Sequence, residues 1–443
     1  MIRFIYNLLW PLGLLFFLPA YLTKMFRRGG YREKFGQRLG IYGVDLRERL
    51  SQRRSTWLHA VSVGEVAIAL KLAKALRKIE PDLHCALTTT TTTGFAFARQ
   101  NAQPWIEIMY SPLDFWPIMR RAFAVIRPAR ILLVEAEVWP NLVAFAHQRR
   151  IPIALVNARL SPRSEKRMRA LCVFVAPTFQ LLDLACVQEP EDVERWAAIG
   201  IRRDRIQVIG SIKYDPQEND VDPTVAEKKL PDLKIDNEHL VLLGGSTHRG
   251  EEEILARIFC ELRAHFPNLF LIIAPRHAER AGEIRRELEQ LGLRVALRTQ
   301  SAVVEVPVDC LLLDSTGELR NWYSIATVVF IGKSLMAHGG QNPAEAIAAG
   351  KPIIFGPHME NFGALSRALL AQGGAIQVGS AAELQNAIVD LMRDAGLRDR
   401  LAETARSVLD KHRGATAKAS ISLPTADIDS GFMILTYPFR VLV

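Results

Sequence analysis

Residues 240–251 read LVLLGGSTHRGE: four apolar residues, two glycines, two hydroxyl side chains, then a glutamate that opens an amphipathic stretch. A short apolar run that breaks at glycines and passes into a 3.6-residue period reads as a buried strand feeding a helix. The same unit recurs downstream, with apolar runs at 269–274 (LFLIIA), 309–313 (DCLLL), 327–331 (TVVFI) and 352–355 (PIIF). Helical patterns at 251–264, 279–291, 342–349 and 380–393 alternate with them. It recurs upstream as well, at 56–60 (TWLHA), 83–88 (LHCALT), 130–134 (RILLV), 152–156 (PIALV), 184–187 (LACV) and 206–209 (IQVI). Amphipathic stretches such as 65–79 and 139–149 lie between these runs. Strand and helix alternating at this spacing predict an α/β fold: a mostly parallel sheet with helices on both faces.

There are two such series, so two doubly wound, Rossmann-like domains are expected, one over residues 27–213 and one over 239–413. Residues 214–238 (YDPQENDVDPTVAEKKLPDLKIDNE) are polar and punctuated by proline, and they read as a linker. Two doubly wound domains on one linker are expected to face each other across a cleft lined by the carboxyl ends of their strands, where ligands bind. Residues 414–443 have no assigned role.

The amino terminus carries a different signal. Residues 4–26 read FIYNLLWPLGLLFFLPAYLTKMF, without a charge up to Thr23 and with Asn7 alone strongly polar. That is about the length of a membrane helix, here residues 1–26, kinked at Pro11 and Pro19. Lys24, Arg27, Arg28, Arg32, Lys34 and Arg38 follow at once. Such a flank stays cytosolic, which places the body of the protein on the cytoplasmic side and the flank against anionic lipid headgroups. A helix lying in the interface is the alternative.

The chain of 443 residues carries a formal net charge of +9. This excess suits nucleic acid, anionic lipid or phosphorylated substrates. The aromatic interleaving of nucleic-acid binders is missing, so no nucleic-acid partner is expected. Five cysteines without a CxxC pair read as free thiols. There is no HExxH, and the two Asp-x-Asp pairs, Asp220/Asp222 and Asp427/Asp429, fall in the linker and the tail. No metal is expected.

Candidate functional residues cluster just after the strands. His59-Ala60-Val61-Ser62-Val63-Gly64-Glu65 puts a carboxylate in the first turn of a helix, where it acts either as a general base or as a helix-start residue favoured by the helix dipole. Glu135 and Glu137 follow the 130–134 strand, and two carboxylates there are costly to bury without function. Lys213, in Gly210-Ser211-Ile212-Lys213-Tyr214-Asp215, is an anion contact or a surface lysine. In the second series, Gly244–Glu251 suits a phosphate at a helix start. Pro275-Arg276, Asp314–Leu319 and Gly339–Glu345 end further strands with arginine, glycine, hydroxyl or carboxylate groups. Together they suggest a nucleotide-sugar cleft.

At these residues the chain resembles the 3-deoxy-D-manno-octulosonic acid (Kdo) transferases of lipopolysaccharide assembly. The likeness spans roughly residues 1–413 and rests on HAVSVGE, EAEVWPN, GSIKYD, GGSTHRGEE, PRHAER, DSTGEL, GGQNPAEA and GPHMENF. The resemblance implies an inverting glycosyltransferase of the GT-B type in the inner membrane. It implies CMP-Kdo as donor, no bound metal, and the tetraacylated glucosamine disaccharide bisphosphate precursor of lipid A as acceptor. Glu65 then resembles the base, and Glu135 and Lys213 groups that stabilise the transition state. Pro275, Arg276, Thr316, Gly317, Glu318, Asn342, Pro343, Ala344 and Glu345 resemble the CMP-binding segments. Gln341 stands where the family often has histidine. A GT-B enzyme using a UDP-sugar and a non-catalytic membrane protein that binds nucleotide sugars are the competing readings.

Overall fold

The computed structural model describes residues 3–10, 13, 34–215, 226, 231–233, 235–236, 238–300 and 307–423. They group into two compact units, one drawn from residues 1–213 and 414–443, the other from residues 214–413.

The first unit holds a seven-stranded parallel sheet in the order β3-β2-β1-β4-β5-β6-β7. Its strands are β1 (Ser55–His59), β2 (Cys85–Thr89), β3 (Ile106–Tyr110), β4 (Pro128–Val134), β5 (Ile153–Ala158), β6 (Leu184–Val187) and β7 (Ile206–Val208). The strand order reverses between β1 and β4, where Trp57 faces Ile131 and Leu58 faces Leu132. Both faces of β1 are covered, and Trp57 and Leu58 have no exposed surface. The helix Val63–Ile79 buries Val66, Ala69, Leu70, Ala73 and Leu76, a three-and-four spacing that seats one stripe on the sheet. Arg130 of β4 is 1% exposed, and the two oxygens of Glu80 each accept from it at 2.9 Å.

The second unit repeats the plan as β10-β11-β9-β8-β12-β13-β14. Its strands are β8 (Leu240–Thr247), β9 (Leu269–Pro275), β10 (Val295–Leu297), β11 (Cys310–Leu312), β12 (Val328–Ile331), β13 (Ile353–Phe355) and β14 (Ile376–Gln377). The reversal falls between β8 and β12. The quoted opening stretch is therefore the central strand, whose carboxyl end is the usual ligand position of such a sheet. The five cysteines are free thiols.

Three strands, β3, β10 and β14, were not expected from the sequence. All three are sheet edges. Part of the stretch 414–443 has a place in the first unit: the helix Ala415–Ser422 buries Ala415 and Ala419 in the core cluster of Val66, Leu70 and Ile212.

The expected membrane segment, residues 1–26, lies largely outside the described residues. Among the described residues no helix is long and apolar enough to cross a membrane. Residues 3–10 are helical and rest on the first unit. Asn7, the one strongly polar residue between Phe4 and Thr23, donates to Asn141 Oδ1 at 2.9 Å and accepts from the Trp116 N–H at 3.0 Å. The basic flank is also corrected in part. Arg38 is buried, donates to the Thr90 carbonyl at 2.7 Å and covers the Tyr110 ring, so it does not face lipid. Lys24, Arg27, Arg28 and Arg32 lie outside the described residues.

Candidate active site

In the first unit the loop after β1 carries Glu65, and its shape is set by hydroxyl groups. Ser62 caps the helix Val63–Ile79 by accepting from the Glu65 N–H, as serine does at this position. Glu65 returns the interaction: one carboxylate oxygen accepts from Ser62 Oγ and the other from the Val61 N–H, both at 2.8 Å. The Val61 carbonyl accepts from Thr89 Oγ1 at 3.1 Å and Thr91 Oγ1 at 3.0 Å. The threonine run thus clamps the loop that holds Glu65, while Thr91 also caps its own helix through the Gly94 N–H at 3.0 Å. Glu65 is 8% exposed and keeps unused lone pairs on both oxygens. Its capping bonds therefore do not preclude a role as base.

Glu135 follows β4 with a φ of 61°, a left-handed conformation that a glutamate rarely adopts. Its N–H donates to the Val156 carbonyl at 3.0 Å, which holds the turn against β5. Burial pushes its carboxyl above the ordinary range, the negative charge of Glu65 adds to this, and Arg159 and Lys213 oppose it. Glu137 is pushed up to about 7, by burial first and by Glu65 second. Lys213 is pushed down to about 8 by burial, against the pull of Glu135. Three carboxyl groups and two cations therefore share one electrostatic environment at the carboxyl end of the sheet. Shifts of this kind mark functional clusters.

Asn157 sets the backbone on which Lys213 sits. It is the penultimate residue of β5, with a φ of 53°, a conformation asparagine tolerates better than most residues. Its Oδ1 accepts from the Ile212 N–H at 2.9 Å and from Ser211 Oγ at 3.3 Å. The structure brings Glu65, Glu135 and Lys213 together. It joins to them Glu137, the other half of the carboxylate pair, and Arg159 and Asn157, which the sequence reading did not select. Glu137 was visible as half of a carboxylate pair, whereas Arg159 and Asn157 had no motif to signal them.

In the second unit the expected nucleotide segments lie at three strand ends, after β9, β11 and β12. Pro275 ends β9, and the Arg276 N–H donates to the Thr247 carbonyl at 3.0 Å while its side chain is exposed. Thr316 and Gly317 are exposed after β11, and Gly317 has a φ of +89°. Glu318 pairs with Arg298 at 3.0 Å. Asn342 lies just before the short helix Ala344–Ala348, and its Oδ1 accepts from the Ala344 N–H at 3.1 Å. Pro343 and Ala344 are buried, and Glu345 accepts from Arg320 at 3.1 Å. Gln341 donates to His248 Nε2 at 3.4 Å.

Behind these loops stands Glu251, 1% exposed, at the start of the helix Glu251–Leu262. It accepts four backbone N–H bonds: from His248 at 2.9 Å, Lys333 at 2.7 Å, Ser334 at 3.0 Å and Leu335 at 3.1 Å. One carboxylate thus ties the loop after β8 to the loop after β12. Gly332 is required at that contact, because a Cβ there would lie 2.4 Å from the Ser246 carbonyl oxygen.

A sequence profile of the family described as 3-deoxy-D-manno-octulosonic-acid transferase (kdotransferase) matches residues 33–216. The 3-deoxy-D-manno-octulosonic acid transferase of Bordetella pertussis is 33% identical over 410 residues, covering 88% of this chain and 92% of that protein. The enzyme of the same name from Haemophilus influenzae is 32% identical over 388 residues, covering 87% and 89%. Among solved structures, a glycosyltransferase from Rickettsia africae shares the fold with a TM-score of 0.50 at 12% identity, over 83% of this chain and 97% of that one. A UDP-GlcNAc 2-epimerase from Neisseria meningitidis bound to UDP-GlcNAc does so with a TM-score of 0.53 at 13% identity, over 83% and 99%. Two Rossmann-like units of the GT-B class and two relatives matched over most of their length lead to one conclusion: the chain belongs to the 3-deoxy-D-manno-octulosonic acid transferase family.

Proposed function

We propose that this Kdo transferase moves Kdo from CMP-Kdo to the tetraacylated disaccharide bisphosphate precursor of lipid A, with inversion at the anomeric carbon. The observation that carries the reading is the cluster of Glu65, Glu135 and Lys213 at one sheet end, with the Glu65 loop held by Ser62, Thr89 and Thr91. A general base needs a positioned, ionisable group and a proton donor within reach. Glu65 takes the proton of the acceptor hydroxyl as its oxygen bonds to the anomeric carbon. The bond from that carbon to the CMP phosphate oxygen breaks, and CMP leaves with the electron pair. Glu135 and Lys213 stabilise charge that develops at the reacting centre, and their fixed positions make that stabilisation effective.

The donor is held by the second unit. Arg276 offers its guanidinium to the phosphate, as arginine does for planar or bidentate anions. The backbone of Thr316, Gly317 and Glu318 and the helix start at Asn342, Pro343, Ala344 and Glu345 complete the CMP site. The leaving phosphate monoester is met by this cation and these amides, so the transfer step proceeds without a metal.

The body sits at the cytoplasmic face of the inner membrane, near anionic lipid. Supporting this, the described part of the amino-terminal helix exposes Phe4 (72%) and Leu8 (62%), and the nearby segment exposes Phe174 (55%). An apolar face of this kind is suited to the membrane interface. The test is direct. Purified chain is incubated with the lipid precursor and either CMP-Kdo or UDP-sugars, and the product is weighed by mass spectrometry. A mass increment of one or more Kdo units with CMP-Kdo alone is expected, and transfer from a UDP-sugar overturns the reading.

A further inference from the structure

Two loops of the second unit meet at three side chains outside the transfer chemistry. The loop after β12 carries His338, and the loop after β13 carries His358 and Glu360. Their backbones are tied together. The Gly339 N–H donates to Glu360 Oε2 at 2.6 Å, the Asn361 N–H to the Gly339 carbonyl at 2.9 Å, and the His358 N–H to the Ser334 carbonyl at 2.9 Å. Gly339 has a φ of +116°, and a Cβ on it would lie 2.7 Å from Asn361 Nδ2, so the approach needs glycine.

The three side chains converge on one point. His338 Nδ1 lies 3.1 Å and His358 Nδ1 3.4 Å from the same oxygen of Glu360. The two imidazole rings are 3.9 Å apart at their centroids. One ligand atom from each residue falls within 4.8 Å of the others. Zinc holds nitrogen and oxygen ligands at about 2.0–2.2 Å in a tetrahedron, so neighbouring donors on one ion sit roughly 3.4 Å apart. The two histidine–glutamate separations, 3.1 and 3.4 Å, match that spacing, and the two histidine ligand atoms lie within 4.8 Å of each other. Two imidazoles and one carboxylate form a known zinc ligand set with a fourth position open to water. Imidazole nitrogen favours zinc, cobalt, nickel or copper over magnesium and calcium, which prefer oxygen.

We propose that His338, His358 and Glu360 bind one zinc-class divalent ion, which cross-links the loops after β12 and β13. The side chains are 78%, 32% and 55% exposed, so the ion enters directly from solvent. Binding a folded arrangement stabilises it by mass action, so the ion raises the melting temperature of the chain. The proposal does not depend on which sugar is transferred.

The full-length chain is stripped with a chelator, then titrated with Zn2+ by calorimetry near neutral pH, with Mg2+ as control. Cobalt absorption reports the coordination number. One equivalent of Zn2+, no Mg2+ uptake and a zinc-dependent rise in melting temperature are expected. His338→Ala and Glu360→Gln each weaken Zn2+ binding by at least about tenfold and abolish the rise. Neither is expected to disturb the fold, since His338 is exposed and glutamine can still accept from Gly339; melting in chelator checks this. Absence of stoichiometric Zn2+ binding, or affinity in His338→Ala and Glu360→Gln within tenfold of the parent, overturns the proposal and leaves an ordinary histidine–carboxylate contact.

Discussion

Replacing Glu251 by alanine removes the acceptor of four backbone N–H groups at once. The Ser334 N–H is fully buried, and those of His248, Lys333 and Leu335 are partly so. A buried donor left without a partner costs about 1–3 kcal/mol. The partly buried three can recruit water, which brings the expected total to about 3–5 kcal/mol rather than the full sum. Glu251→Gln keeps one acceptor oxygen and turns an amide NH2 toward the remaining donors, so its cost falls between parent and alanine. Urea unfolding followed by circular dichroism reads the change, with the units resolved as separate steps where they unfold separately. CMP binding by calorimetry reads the consequence, because the loop after β12 leads into Asn342–Glu345. A loss under about 1 kcal/mol in Glu251→Ala, with CMP affinity unchanged, refutes the view that this carboxylate organises the nucleotide loops.

Lys213 is held down to about 8, so a step that needs its charge slows as pH rises through that value. Lys213→Arg, which keeps the charge, retains part of the rate and loses that alkaline limb in a pH profile of kcat. The same depression means the unfolded chain binds more protons between about 8 and the ordinary lysine value, so this group's contribution to stability rises with pH across that window. Glu80→Ala leaves Arg130 buried without its carboxylate and costs about 3–5 kcal/mol in urea unfolding, most of which Glu80→Ala with Arg130→Met restores. Asn157→Gly permits the left-handed backbone but removes the acceptor for Ile212. It lowers kcat with little change in the donor KM, and an unchanged kcat shows that Lys213 does not need this support.

The strand–helix alternation and the two sheets were legible because central strands are buried on both faces and read as continuous apolar runs. The strands that escaped notice, β3, β10 and β14, pair on one side only, and β14 has just two residues, Ile376 and Gln377. An edge strand needs no such run. Glu65 was legible as a first-turn carboxylate. The fact that Thr89 and Thr91 clamp its loop was not, since those contacts join different strands. Glu137 was seen, but its raised pKa comes first from burial and second from Glu65, which lies far away in sequence. The histidine cluster escaped for the same reason: His358 and Glu360 are close in the chain, and His338 reaches them from another loop.

The central claim is that Glu65 removes the proton of the acceptor hydroxyl. Its most direct test is Glu65→Gln in the purified full-length chain, with Kdo transfer from CMP-Kdo to the lipid precursor followed by mass spectrometry and CMP-Kdo binding by calorimetry. Glutamine keeps an acceptor oxygen for the Val61 and Ser62 bonds but is not a base. The expected result is a loss of transfer of about 10²–10⁴-fold with donor affinity retained. Transfer at the parent rate by Glu65→Gln contradicts the claim.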